Sequence, residues 1–462
     1  MKKANTFLWL LVFASLSLLL EGCRGVATNG ERQARADARA VGESYRPRGQ
    51  RPALPELTAQ SGLDDYLRFA MLNQPQVKAA YFDWLGSVER ITQERSLPDP
   101  RLTFEMYIQD MVTSVMPGLM MDFPGPGKLA VRARVASAES EGKYFTFETS
   151  ALQTAFALKK SFYQLYFLDQ KIRVNRQTLD LLADLEKLAR AQNEVGKVTL
   201  QDVLRAQIEQ DRLKTELANL EDSRHSLLTQ FKAALGLRPA DAAPPVPQRL
   251  ESTPLDLTSE KLVETALARN PRLKVMAAEV RRAEAALALA HKSRVPDFSA
   301  GLEVDVKPSP AIYNPQFSVT LPIWRDKIAA EIAEAQAGKR AAEARLSAEE
   351  ITLAVDFAEK SFMYREASRN LALLQDQLLP KQRQSLEVAR SGYLAGQIDF
   401  FNLTDAEQTL LRFALAEVEA GTQRELALAE LSLLIVGVPP PGAPFRPAPA
   451  ELSRHQHPSS KK

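Results

Sequence analysis

The sequence predicts a mainly α-helical protein with a small β part. Three observations carry this. A unit of roughly 200 residues is written twice. Each copy contains a long run of helix formers almost free of proline, and ahead of it each holds short segments in which apolar and polar residues alternate.

The duplication is read from matched motifs. Asn73-Gln74-Pro75-Gln76-Val77-Lys78 matches Asn270-Pro271-Arg272-Leu273-Lys274, and Leu97-Pro98-Asp99 matches Val295-Pro296-Asp297. Phe123-Pro124 matches Leu321-Pro322, Ser161-Phe162 matches Ser361-Phe362, and Gly196 matches Gly396. The register between copies drifts only from 196 to 200 residues along the whole unit. We divide the chain into residues 1–22, a leader; 23–58, a tether; 59–240, the first repeat; 241–257, a linker; 258–438, the second repeat; and 439–462, a Pro-rich tail expected to be disordered.

Taken in order, Lys2 and Lys3 precede an apolar stretch, Phe7 to Leu20, that is short for a membrane-spanning helix and fits an export signal. It ends in Leu20-Glu21-Gly22-Cys23, so the only cysteine stands where bacterial lipoprotein signals place the acylated residue. The sequence predicts lipidation (palmitate among the acyl chains) at Cys23. An ordinary signal peptide with an incidental cysteine is the alternative, because Glu21 is an unusual occupant of the motif. Seven arginines and three acids between Arg24 and Arg51, with little apolar content, predict an extended tether.

Each repeat then reads as a helix, a two-stranded hairpin, a very long helix, a tight turn and a returning helix. In the first hairpin Leu102, Phe104, Met106 and Ile108 alternate with Arg101, Thr103, Glu105, Tyr107 and Gln109; the strand after Pro117 is less regular. In the second, Phe298, Ala300, Leu302, Val304 and Val306 alternate with Ser299, Gly301, Glu303, Asp305 and Lys307. Such alternation suits a barrel wall with lipid on one side and a polar lumen on the other. A half-buried soluble sheet shows the same pattern. On the barrel reading, Arg101, Thr103, Glu105, Ser299, Glu303, Asp305 and Lys307 face the lumen.

The segment from Lys128 to Gly196, if helical throughout, is about 100 Å long at ~1.5 Å per residue. The second copy repeats it from Lys327 to Gly396, except that Pro380 is expected to end or kink one helix and start another. Gly196 and Gly396 mark the tip turns.

Counting strands turns the pattern into a statement about assembly. Two hairpins supply four strands, whereas closed membrane barrels need at least about eight, and open edges are not tolerated in hydrocarbon. Strands that span a membrane therefore require an oligomer, and a trimer supplies twelve. The near balance of 59 basic and 57 acidic residues argues against a nucleic-acid partner.

The tip Tyr393-Leu394-Ala395-Gly396-Gln397-Ile398-Asp399-Phe400-Phe401-Asn402-Leu403-Thr404-Asp405-Ala406, with the tandem repeat and the Pro-containing strand entries and exits, resembles the TolC family of outer-membrane factors. The likeness runs from about Leu63 to Val438. It implies a homotrimer with a twelve-stranded outer-membrane β-barrel and a periplasmic α-helical tunnel, the α-barrel. It implies a passive exit duct of a tripartite efflux system, in contact with outer-membrane lipid, served by a periplasmic adaptor and an inner-membrane pump, with the RND type as one candidate. No cofactor is implied. Matching the motif places Asn402 and Asp405 at positions often held by gate aspartates, with Asp202 and Arg205 equivalent in the first repeat. The alternative is that Asp202 and Asp405 simply favour the first turns of their helices. Ile398 stands where some relatives carry a basic latch residue. Pro124-Gly125-Pro126-Gly127-Lys128 is similar to a junction common in the heavy-metal branch.

Five of nine methionines, Met106, Met111, Met116, Met120 and Met121, fall in the first hairpin. Thioethers suit soft ions, but flexible apolar filler is the plainer reading, and no metal site is assigned. The tail pair His455 and His457 is a weaker metal candidate still. Phe123 and Trp324, just past the strand ends, fit a periplasmic interface belt, and core packing explains them equally well. No hydrolase, zincin, dinucleotide or phosphate-loop motif occurs, so the sequence predicts no enzyme. A periplasmic adaptor or coiled-coil scaffold lipoprotein without a pore is the runner-up; it would show one helical hairpin between β-rich halves rather than two equal copies.

Overall fold

The structure, a computed structural model, describes residues 27–50, 52–58, 60–108, 112–246, 261–308 and 310–446. Cys23, the leader, Met111, His455 and His457 lie outside the described residues. The first repeat contains α2 (Leu63–Asn73), α3 (Pro75–Arg95), β1 (Arg101–Ile108), β2 (Val112–Phe123), α4 (Lys128–Glu194) and α5 (Leu200–Ala234), preceded by α1 (Asn29–Tyr45). The second contains α6 (Lys261–Arg269), α7 (Pro271–His291), β3 (Phe298–Asp305), β4 (Ile312–Val319), α8 (Arg325–Leu373), α9 (Leu379–Leu394) and α10 (Phe400–Glu430). This is the expected order of elements, with 67 residues in α4 alone.

The chain forms two compact units that do not follow the repeats. One takes the described parts of Met1–Glu43, Tyr81–Thr146 and Arg272–Glu349, and the other those of Ser44–Ala80, Phe147–Pro271 and Glu350–Lys462. Each repeat thus gives its strands to the first unit and its tip to the second.

The expectation of an extended tether is corrected. Residues 29–45 form a helix, because Glu31 finds cationic partners that composition does not reveal. Its side chain is 1% exposed and accepts from Arg95, from Thr92 Oγ1 at 2.6 Å and from Arg35 Nε at 3.2 Å. Arg35 also grips both carboxylate oxygens of Glu89, at 3.0 and 2.9 Å. Arg95 closes α3 just before β1, so the start of α1 lies at the strand end of α3. Gly42 lies by the Tyr81 hydroxyl, which makes the two helices antiparallel.

Pro380 behaves as its chemistry demands. It occupies the first turn of α9, and the helical path is carried into it by a π turn, Leu374–Leu378. The ring removes a donor and crowds the preceding turn, and a wider turn relieves both.

The matched Asn motifs close each repeat in the second unit. Asn73 Nδ2 donates to Leu235 O at 2.7 Å, and Asn270 Nδ2 donates to Leu434 O and Ile435 O at 3.0 and 2.8 Å. Beside each stands a glycine in the left-handed region, Gly236 at φ +72° and Gly437 at φ +73°; a Cβ on Gly236 would sit 2.9 Å from Gln74 Cα. Backbone from the start of each repeat thus packs against the end of the same repeat.

Candidate functional site

Two places carry candidate function: the sheet in the first unit and the paired tips in the second. The four strands form one antiparallel sheet in the order β1-β2-β3-β4. Cross-strand registers place Thr103 opposite Gly118, Gly118 opposite Glu303 and Glu303 opposite Asn314. Opposed residues share a face, so Arg101, Thr103, Glu105, Asp122, Ser299, Glu303, Asp305 and Gln316 all stand on one side. Leu102, Phe104, Leu119, Phe298, Leu302 and Phe317 stand on the other. Lys307 lies beyond the end of β3, in the bend toward β4, and is not part of the strand face.

The polar face is bonded across the strands. Arg101 Nη2 donates to Asp122 Oδ1 at 3.0 Å, as does Ser299 Oγ at 2.7 Å. Glu303 accepts from Thr103 Oγ1 at 3.2 Å and Gln316 Nε2 at 2.5 Å, and is only 4% exposed. Gly118 makes room for it: a Cβ there would lie 2.3 Å from Glu303 Cγ and 2.5 Å from Thr103 Oγ1. Sequence reading missed this glycine, although its place in an otherwise β-forming run was the available signal.

The strand after Pro117 pairs without a break, and Pro117 marks the point where its ladder to β3 stops. Proline offers no donor, and the β2–β3 ladder runs only from Gly118 to Phe123. Beyond it, Asp305 accepts from Ser114 Oγ at 2.5 Å and Val115 N at 3.4 Å. The apolar face is open, with Leu102 82% and Phe317 80% exposed, and β1 and β4 are unpaired at their outer edges among the described residues. Met116 and Met120 fall on the polar face and Met106 and Met121 on the apolar one, so the four described methionines of the first hairpin are divided between the two faces.

The Pro-Gly junction leaving β2 is built onto the strand entry of the second repeat. Asp297 Oδ1 accepts from Gly125 N at 2.6 Å and from Lys128 Nζ at 2.8 Å. A Cβ on Gly125 would lie 2.4 Å from Pro296 O. The strand exit of the first repeat and the strand entry of the second are therefore in contact.

At the tips, Gly196 and Gly396 adopt φ +73° and +71° with no atom near an added Cβ, so the backbone turn alone requires glycine there. Lys197 N bonds Gln192 O at 2.9 Å and Gln397 N bonds Gly392 O at 2.8 Å, the same helix-ending turn twice. Asp202 caps α5, accepting from Thr199 N at 3.1 Å and Thr199 Oγ1 at 3.0 Å. In the second copy the cap moves to Asp399, which accepts from Asn402 N at 2.9 Å.

Arg205 lies over the Phe401 ring, 5.3 Å from its centre. Leu185, Ala189, Val203, Tyr393, Phe400 and Leu403 form one apolar cluster joining the two tips, with Ile398 packed against it. Ile398 thus holds the tips by burial rather than by charge. Asn402 and Asp405 are exposed. Asp202, Arg205, Asn402 and Asp405 are therefore gathered at one end of the unit, but Asp202 is engaged in a cap and Arg205 in a ring contact.

No helix among the described residues is long and apolar enough to cross a membrane. A family model, "Outer membrane efflux protein", matches residues 68–237 and again 262–437. The cobalt-zinc-cadmium resistance protein CzcC of Cupriavidus metallidurans is 22% identical over 338 residues, covering 70% of this chain and 77% of its own. The outer membrane protein VceC of Vibrio cholerae superposes with TM-score 0.69 at 15% identity, covering 81% of this chain and 96% of its own. CusC, crystallised in a study of transmembrane channel formation, gives TM-score 0.72 at 13% identity, covering 84% and 98%. With both repeats matched, the chain belongs to the outer membrane efflux protein family and is an outer-membrane efflux channel component of tripartite efflux systems.

Proposed function

We propose that three copies of this chain close a twelve-stranded barrel whose lumen is lined by the polar face, and that the paired tips form its periplasmic gate. The observation that carries the reading is the four-stranded sheet: one face cross-bonded and polar, the other apolar and open, with two outer edges that a single chain leaves unpaired. Bilayer and neighbouring copies supply what each surface lacks. Lys307, past the strand end, belongs to the rim rather than the wall. Asp202, Arg205, Asn402 and Asp405 become rings about the three-fold axis, and a periplasmic adaptor and inner-membrane pump engage that end.

Lipidation at Cys23 completes the picture. The start of α1 lies at the strand end of α3, which on this reading faces the membrane, and this supports an acyl anchor in the preceding segment. For cargo, likeness to CzcC and the acidic character of the polar face (Asp122, Glu303, Asp305, with Glu105) favour divalent metal cations over anions.

The test is reconstitution in planar bilayers. A trimeric mass in detergent, steady conductance and a cation preference reduced by Glu303→Gln with Asp305→Asn are expected. A monomeric mass with no conductance would overturn the assembly.

A further inference from the structure

The two tips share a fold but not a charge arrangement, and the difference centres on one side chain. In the first repeat Glu186 of α4 accepts from Arg190 at 2.6 Å, from Gln207 at 2.8 Å and from Gln210 at 3.1 Å. Those bonds hold its carboxyl down at about 2. At the register of 200 set by Gly196 and Gly396, the counterparts are Leu386, Arg390, Glu407 and Leu410. The carboxyl has moved to the returning helix, into the place of Gln207, while the donor Gln210 has become Leu410 and the acceptor Glu186 has become Leu386.

Glu407 is consequently 1% exposed, and neither carboxylate oxygen has a hydrogen-bond partner. It lines a groove with Thr404 and Leu411 of α10, Leu182 of α4, and Leu213 and Glu216 of α5. The charged groups around it are Arg390 on α9, Glu209, Arg212 and Glu216 on α5, and Asp405 and Arg412 on its own helix; α4 offers only Asn175, Thr178 and Leu182. Beside it Gln382 Nε2 of α9 donates to Ala406 O at 2.7 Å, tying α9 to α10. Burial pushes the Glu407 carboxyl up to about 8, with exposed Arg390 opposing this only weakly.

We propose that Glu407 is a proton-operated latch on the second tip: protonated, it lets α10 pack closed against α4 and α5 across the groove; ionised, it draws α10 away from them toward water and Arg390 of α9. A neutral acid is tolerated in the groove, whereas a carboxylate without donors is not. The first tip, whose carboxyl is fully bonded, does not respond in this range. Repeat 2 alone then moves, and alkalinity favours opening. The gating half of this inference rests on the channel reading above; the protonation half does not.

Two measurements on the full-length protein separate them. Infrared difference spectra of wild type against Glu407→Gln should show a protonated carboxyl at neutral pH that titrates away with a midpoint of about 8. In bilayers, the open fraction should rise roughly tenfold between one pH unit below and one above that midpoint. Glu407→Gln should stay at the low-pH level throughout. Leu410→Gln, which restores the donor of the first repeat, should move the midpoint at least about one unit toward acid. An ionised Glu407 at neutral pH, or a pH response that survives in Glu407→Gln, overturns the latch. Absence of conductance at every pH with a titrating carboxyl would refute the channel reading and the gating with it.

Discussion

Replacing Glu31 with alanine tests what orders the N-terminal helix. The side chain is buried against Arg95, which is 14% exposed, and Arg35, which is 34% exposed, with Thr92 completing the set. Removing one partner of a fully buried pair costs about 3–5 kcal/mol, but both guanidinium groups reach some solvent, so about 2 kcal/mol is the fitting figure. Val41 and Tyr45 are 0% exposed. Each contributes about 1.5–3 kcal/mol of apolar burial, so α1 loosens without detaching. Two kcal/mol corresponds to roughly thirtyfold more frequent local opening. Hydrogen exchange read by mass spectrometry should show that acceleration in peptides from 29–45 and none at the tips. Glu31→Met combined with Arg95→Met should recover much of the loss, since an apolar pair needs no counter-charge. Unchanged exchange in Glu31→Ala, or a loss spread evenly over the chain, would refute the clamp.

Acid should act on the same contact. Burial alone would raise the Glu31 carboxyl, but the bonds from Arg95, Thr92 and Arg35 outweigh it and hold it below the ordinary range. Its contribution is therefore present above that range and lost as pH falls through the lowered value, and α1 exchange should rise in acid. Glu186, held at about 2, follows the same sign, so the first tip should loosen only in strong acid, measurable by exchange in 183–210. Gly118→Ala should weaken the assembled barrel, seen as lower heat resistance of the oligomer on gels, and Glu303→Ala in the same chain should restore part of it. Gly396→Ala costs about 1–2 kcal/mol from the left-handed backbone alone, because nothing crowds the added methyl; equal loss in Gly196→Ala, read by exchange at the two turns, is expected.

What the sequence determined by itself is what depends on period and composition. Repeat spacing, the alternation in Arg101–Ile108 and Phe298–Asp305, the helix-forming run after Lys128 and the glycine turns are local properties of the chain, legible without coordinates. Strand counting added the need for partners. Only tertiary structure decided which residues meet across long separations. Glu31 with Arg95, Gly118 beneath Glu303, and Gly125 on Pro296 are all contacts between distant segments, and composition made the first of these look like linker. It also divided the chain across its repeats rather than between them. The tip shows both limits at once: the motif located Asp202, Arg205, Asn402 and Asp405, but Glu407, the one carboxyl there buried without a donor, is distinguished from Glu186 only by what packs around it.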